Sequence, residues 1–185
     1  MNKLNLLQIY KYSSCLLFAF FLSGFLFSFQ GDQWNIFFVK GHALLNDFFN
    51  ISRFVADNNP YFNSICNDLD KAYLPIAYLI IKLFTFCVDY TGLDQRDCYF
   101  NSGAMIQAFL FVFLSWALFA HSLKKIGASN TLIVLASISA PAIFQYERGN
   151  LIMISVACIN YYFAYYNQVG AKRYIGLSLF CLSIA

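Results

Sequence analysis

Residues 130–166 read NTLIVLASISAPAIFQYERGNLIMISVACINYYFAYY. How this stretch divides decides what kind of protein the chain forms. The tetrad Glu147-Arg148-Gly149-Asn150 separates two apolar runs, 130–146 and 151–166. Each run has nearly the length of a bilayer-crossing helix. An arginine or an acid at the centre of a membrane helix costs roughly 2.5–3.5 kcal/mol on insertion scales, so ionisable groups in or beside such helices point to a functional site. The competing reading is a solvated turn, in which Gly149 ends one helix and Asn150 caps the next.

Composition sets the class. The 185 residues are 60% hydrophobic, 20% aromatic and 11% charged, with a mean hydropathy of +0.58. Soluble domains carry about 25% charge. This chain therefore reads as an all-α, polytopic membrane protein in contact with the lipid bilayer. Its net charge of +3 is scattered, with no basic patch to recruit nucleic acid. Six membrane segments are expected, at about 13–29, 73–89, 103–122, 130–146, 151–167 and 174–185. Four contain no charged residue; 73–89 carries Lys82 and Asp89, and 103–122 carries only His121. The last segment would rise only about 18 Å as a helix, against a hydrocarbon core of about 30 Å. The expectation is that 1–185 is the N-terminal part of one larger transmembrane domain.

Lys3 and Lys11 precede the run from Ser13 to Phe29, which exits through Phe27-Ser28-Phe29-Gln30 with no small-x-small cleavage pattern. Residues 1–29 thus read as a retained signal anchor with a cytoplasmic N-terminus. That orientation puts 30–72 on the outer face. This loop holds Asp32, Asp47, Asp57, Asp68 and Asp70. From Trp34 to Val55, apolar residues including Ile36, Phe37, Leu44, Leu45, Phe48, Phe49 and Phe54 recur at helical spacing between Lys40, His42, Asp47 and Arg53. The pattern predicts short amphipathic helices lying in the interface; a small loop domain with its own core is the other reading. Asp57-Asn58-Asn59-Pro60-Tyr61 reads as a turn, and Pro75 is placed in the first turn of the next helix. Residues 73–185 are assigned to further membrane helices.

Orientation does not close on a simple count. Lys124/Lys125 and Lys172/Arg173 belong in the cytoplasm by the positive-inside rule, which sets 147–150 on the outer side with the 30–72 loop. One crossing each for the first three segments would instead put Lys124 outside. The cysteines Cys15, Cys66, Cys87, Cys98, Cys158 and Cys181 form no CxxC pair and no zinc pattern. Cys66 and Cys98 lie in polar stretches and would pair only if both face an oxidising compartment. Asn50-Ile51-Ser52 spells a glycosylation sequon.

Three features fall in order along the chain. Asp32 lies just past the first segment, Asn59-Pro60-Tyr61 and Tyr73-Leu74-Pro75 lead into the second, and Glu147-Arg148-Gly149-Asn150 joins two later ones. This order resembles polytopic glycosyltransferases of the GT-C fold, in particular bacterial glycosyltransferase family 87, which is similar to the mannosyltransferases that use polyprenyl-phosphate sugars. The tetrad agrees in full. The glycine usual before Asn59-Pro60-Tyr61 is absent, and Leu74 replaces a proline.

The resemblance implies a multi-pass bacterial inner-membrane enzyme. It would move a mannose-like hexose from a polyprenyl-phosphate donor to a glycan or lipid acceptor on the outer face. It implies Asp32 as catalytic base or metal-binding acid, Arg148 on the donor phosphate, Glu147 orienting Arg148, and Asn150 bonded to donor or sugar. Arginine suits the phosphate role because its planar fork matches phosphate oxygens. Trp34, two residues after Asp32, either stacks on sugar or anchors in the interface, and Tyr61 of the turn joins the substrate-binding set. A divalent cation such as Mg²⁺ or Mn²⁺ would accompany oxygen ligands; Asp68-Leu69-Asp70 matches a DxD by letter only, and reads as solvated loop charge.

Lys82 either meets a lipid phosphate or snorkels, His121 reads as interfacial, and Tyr161, Tyr162, Tyr165 and Tyr166 as an aromatic belt. A transporter or flippase, with Glu147 and Arg148 as a gating pair, and a non-catalytic membrane assembly subunit remain the other classes.

Overall fold

Each of the three prolines marks a boundary between elements, because proline lacks the N–H that continues a helix and its ring clashes with the preceding turn. A computed structural model describes residues 44–57, 59–62 and 73–166. Among these residues every regular element is helical. Pro60 sits in the turn over 59–62, Pro75 opens a helix, and Pro141 opens another. The elements are α1 (Asn46–Ala56), α2 (Pro75–Phe84), α3 (Gln95–Phe100), α4 (Ser102–Lys125), α5 (Asn130–Ser137), α6 (Ala140–Arg148) and α7 (Ile152–Tyr165).

Side-chain caps set three of the seven starts. Asp94 and Asp97 form a reciprocal capping box at α3. The Asn101 side chain accepts from Ala104 N–H at 3.1 Å to begin α4, and Ser129 accepts from Leu132 N–H at 3.2 Å to begin α5.

Helix α4 organises the rest. Its 24 residues span about 36 Å at 1.5 Å per residue, and it is the one described helix long and apolar enough to cross a membrane. Ala104, Ala108, Phe111, Val112, Ser115, Trp116 and Phe119 are buried, while Ile106, Leu110, Phe113 and Leu114 are exposed. An apolar residue thus occupies the outer face as well as the inner one. The most extensive packing in the fold is between α4 and α7. It includes polar links: Asn160 Nδ2 donates to Ser122 Oγ at 3.1 Å, Ser122 Oγ donates to the Phe119 carbonyl at 2.7 Å, and His121 Nδ1 meets the Tyr161 hydroxyl at 2.5 Å.

The segment expected to cross once at 130–146 is two helices. Pro141 cannot donate within a continuing helix, so α5 stops at Ser137 and α6 restarts at Ala140. The Ser139 hydroxyl donates to the Ala136 carbonyl at 2.7 Å, satisfying an acceptor that the break releases. The segment 73–89 contains a ten-residue helix, and 151–167 one of fourteen residues. The segments 13–29 and 174–185 lie outside the described residues.

A second correction concerns 46–56. The helix forms where the apolar periodicity predicts it, but it does not lie on an outer surface. Phe48, Phe49 and Phe54 are fully buried, and α1 packs against α2, α3 and α6. The Phe48 ring stands 5.2 Å from Phe111 of α4 and 5.8 Å from Phe49. Its apolar residues belong to the same core as those of α4. Lys82, read as meeting a lipid phosphate or snorkelling, donates to the Val55 carbonyl at 2.9 Å. A cation is favourable at that C-terminal end of α1.

Gln107 is the largest polar side chain on the buried face of α4, which also holds Ser115 and Ser122. Its amide lies 2.8 Å from the Tyr90 hydroxyl. In the amide orientation that satisfies all its neighbours, nitrogen also donates to the Phe84 carbonyl at 3.1 Å and oxygen accepts from Cys87 N–H at 3.0 Å. One side chain thereby serves the end of α2 and the turn after it. Gln107→Leu is expected to destabilise the fold by about 2–4 kcal/mol, since each buried polar group left unpaired costs about 1–3 kcal/mol. Leu110→Ala, on the exposed face, is expected to cost much less. Unfolding in detergent micelles measures both, and equal losses would remove this role for Gln107.

Candidate functional site

The tetrad at 147–150 is built into a joint with the start of α1. Helix α6 ends at Arg148, with Gly149 left-handed at φ 64° and ψ 40°. That conformation reverses the chain and brings Arg148 and Asn150 to one side. Both meet a single acid, Asp47, in the first turn of α1. Arg148 Nη2 donates to Asp47 Oδ1, and Asn150 Nδ2 donates to Asp47 Oδ2 at 2.7 Å. The opposite side of the Asn150 amide accepts from Ile152 N–H at 3.0 Å, starting α7. The local geometry expected of a turn is therefore present, but the turn is docked rather than solvated: Glu147, Gly149 and Leu151 are buried.

Backbone contacts tighten the joint. Leu45 N–H donates to the Glu147 carbonyl at 2.5 Å. Leu45 itself is left-handed at φ 58°, the one non-glycine residue with positive φ among those described. Such a conformation costs about 1–2 kcal/mol for an L-residue and persists where surroundings over-determine it. A Cβ on Gly149 would lie 2.8 Å from Phe48 Cβ and 3.4 Å from Leu45 Cδ2. Glycine is thus required twice, for its φ and for the approach of α1.

Aromatic hydroxyls flank the charge. The Tyr99 hydroxyl of α3 donates to the Leu44 carbonyl at 2.5 Å, and its ring packs edge-on against Phe49 at 5.2 Å. Tyr61 donates to the Tyr73 carbonyl at 2.8 Å and packs edge-on against Tyr78 at 4.9 Å. The hydrogen bond to Asp47 raises the Arg148 pKa above its already high value. Partial burial opposes that shift, and Tyr73 and Tyr99 reinforce it. Arg148 accordingly keeps its charge at any working pH. A third of its side chain is exposed, against 9% for Asp47.

Of the residues the sequence nominates, Arg148 and Asn150 come together on Asp47. Glu147 contributes its backbone carbonyl to Leu45, and its side chain is fully buried. Tyr61 is linked to the joint through Tyr73. Asp32 and Trp34 lie outside the described residues, as do Cys66, Asp68 and Asp70. Cys98 is a buried free thiol. Asp47 was legible only as one of the polar interruptions in an apolar pattern, and Tyr99 gave no signal. Among the described residues, no group of three or more His, Cys, Asp or Glu side chains is arranged to hold a metal ion. Comparison with protein families, curated proteins and solved structures finds no match for this chain.

Two outcomes follow from this geometry. Gly149→Ala is expected to destabilise by about 2 kcal/mol or more, combining the left-handed penalty with displacement of Phe48. Gly149→Asn should not restore stability, although asparagine tolerates that φ, because its Cβ makes the same clash; recovery in a thermal melt would refute the close-approach argument. The second outcome concerns alkali. Burial pushes the Cys98 thiol up from 9.0 to about 11, and the Tyr99 hydroxyl up to about 12. The unfolded chain releases these protons first, so their contribution is complete below pH 9 and is lost as pH rises, from about 9 through 11 for Cys98 and from about 10 through 12 for Tyr99. Unfolding midpoints measured from pH 8 to 11 should fall, and Cys98→Ala should flatten the first part of that fall.

Proposed function

We propose that this chain forms part of a multi-pass membrane glycosyltransferase of the GT-C type, resembling glycosyltransferase family 87. It would move a mannose-like hexose from a polyprenyl phosphate to a glycan or lipid acceptor on the outer membrane face. The observation that carries this reading is the Asp47–Arg148–Asn150 joint. A permanently charged guanidinium is held in place by a nearly buried acid, stays a third exposed and has Tyr73 and Tyr99 beside it. Its planar donors suit a phosphate, and aromatic rings suit sugar faces.

In this reaction an acceptor hydroxyl oxygen attacks the anomeric carbon of the donor sugar, and the bond from that carbon to the phosphate oxygen breaks. The hydroxyl proton passes to a carboxylate, assigned to Asp32 by resemblance. The bonding pair leaves with the polyprenyl phosphate, whose anionic charge Arg148 meets. Asn150 orients donor or sugar. The membrane setting rests on α4, with the segments 13–29, 73–89, 130–146, 151–167 and 174–185 as the further membrane-embedded parts and the N-terminus cytoplasmic.

A second reading is a non-catalytic membrane assembly subunit. It is favoured by the full use of both Asp47 oxygens inside the fold. The two readings separate in membranes bearing the full-length chain and supplied with radiolabelled polyprenyl-phosphate hexose. Transfer by the wild type is expected, with Asp32→Asn lowering it about 100-fold or more and Arg148→Ala abolishing it at matched expression. Transfer that survives both substitutions would remove these assignments. No transfer by the wild type would leave the assembly subunit.

A further inference from the structure

We infer that Asp47 is a positioning residue that sets the Arg148 guanidinium for a lipid-linked phosphate; this rests on the phosphate-binding reading of Arg148 proposed above. Four observations converge. Asp47 is 8% exposed, and an acid so little hydrated needs its oxygens satisfied. Its donors come from residues 101 and 103 positions away along the chain, so the contact exists only once α1 and the α6–α7 turn have come together. It engages the guanidinium through a single Nη2 bond, which leaves the second Nη2 hydrogen, together with the nitrogen beside it, as a donor pair for a ligand. The exposed third of Arg148 is the route by which a ligand arrives.

The chemistry selects the ligand class. A guanidinium with one edge neutralised by a carboxylate keeps a second edge with parallel N–H donors, which matches two oxygens of a phosphate monoester or diester. Asp47 also lowers the local positive charge, so a free multivalent anion gains less there than at a bare arginine. A phosphate tethered to an apolar chain gains the rest of its binding from lipid contacts. The exposed apolar side chains Phe144 of α6 and Ile152 of α7 flank the tetrad in sequence, and supply apolar surface of the required kind. The structure therefore favours polyprenyl phosphate over inorganic phosphate.

The test uses the full chain in membranes or micelles. Asp47→Asn is isosteric and keeps one acceptor, but it turns an amide donor toward either Arg148 or Asn150. Asp47→Glu retains the charge. With polyprenyl-phosphate hexose as donor, Asp47→Asn is expected to raise the donor KM about tenfold, the scale of one charge-assisted hydrogen bond, with little change in kcat; Asp47→Glu should recover part of that loss. In an Arg148→Ala background, where transfer is lost, the cycle is read by ligand-induced stabilisation, and Asp47→Asn should lower the polyprenyl-phosphate thermal shift no further.

A readout independent of turnover accompanies it: polyprenyl phosphate should raise the wild-type unfolding temperature, inorganic phosphate at equal concentration should raise it less, and Asp47→Asn should weaken the lipid-phosphate shift. If transfer fails while this Asp47-dependent shift persists, the positioning role stands and the transferase reading falls. An unchanged KM and an unchanged ligand shift in Asp47→Asn, at equal folded amount, would overturn the inference. So would additive effects of the two substitutions, or an equal shift with inorganic phosphate.

Discussion

A carboxylate that loses its water must find donors, and Asp47 finds both of its donors on one turn a hundred residues later in the chain. The rest of the described structure is arranged around that requirement. To bring Arg148 and Asn150 to the same acid, the chain must reverse between them, which fixes Gly149 in the left-handed region. To let α1 approach, Gly149 must lack a side chain, because Phe48 occupies the space. Leu45 takes a costly conformation of its own so that its N–H reaches the Glu147 carbonyl. None of these features is explained by α1 or by the α6–α7 turn considered separately. They form one joint between an early and a late part of the chain, and the polar contacts only complete a contact that Phe48 and Leu45 make apolar.

Helix α4 is the surface on which this joint is carried. Its inward face meets the ring of Phe48 through Phe111 and the polar ends of α2 through Gln107. Its outward face is apolar as well, with Ile106, Leu110, Phe113 and Leu114 exposed. In water, such a face opposite a packed core would be costly at about 25 cal/mol per Å² of apolar surface. In hydrocarbon it costs nothing, and the polar groups of the inner face gain from being sequestered. The same argument applies to the exposed Leu132 and Leu135 of α5 and Phe163 of α7. Gln107 and Ser122 lie on the inward face, where their partners are fixed.

Helical class, the long span at 103–122, the turn at Pro60 and the helix start at Pro75 were all legible, because periodicity and proline chemistry are local. So was the role of Gly149 as a helix terminator. The division of 130–146 was written in Pro141, yet the apolar run around it outweighed that single residue. The burial of α1 was not legible. An amphipathic stretch reads alike whether its apolar face meets lipid or protein, and only the long-range contacts to Phe111, Tyr99 and Gly149 decide between them. Asp47 was hidden for the same reason. An acid beside two phenylalanines is an ordinary helix start until its partners at 148 and 150 are known.

A joint that consumes an acid and part of an arginine can look purely structural, and the distinction lies in what is left over. A guanidinium buried for stability alone gains most when all its donors are paired inside, since each orphaned donor costs free energy. Lysine would neutralise Asp47 as a point charge and cap the turn just as well, with no planar second edge to satisfy. Arginine at 148 instead engages Asp47 through one nitrogen and keeps a third of its side chain open. Its charge is secured by the acid, while its remaining donors are held at a fixed angle by a backbone that neither Gly149 nor Leu45 can easily relax. On the phosphate-binding reading, rigidity at the joint has a use beyond stability: a planar donor pair presented in one orientation loses little entropy when an anion arrives, which a freely rotating surface arginine cannot match.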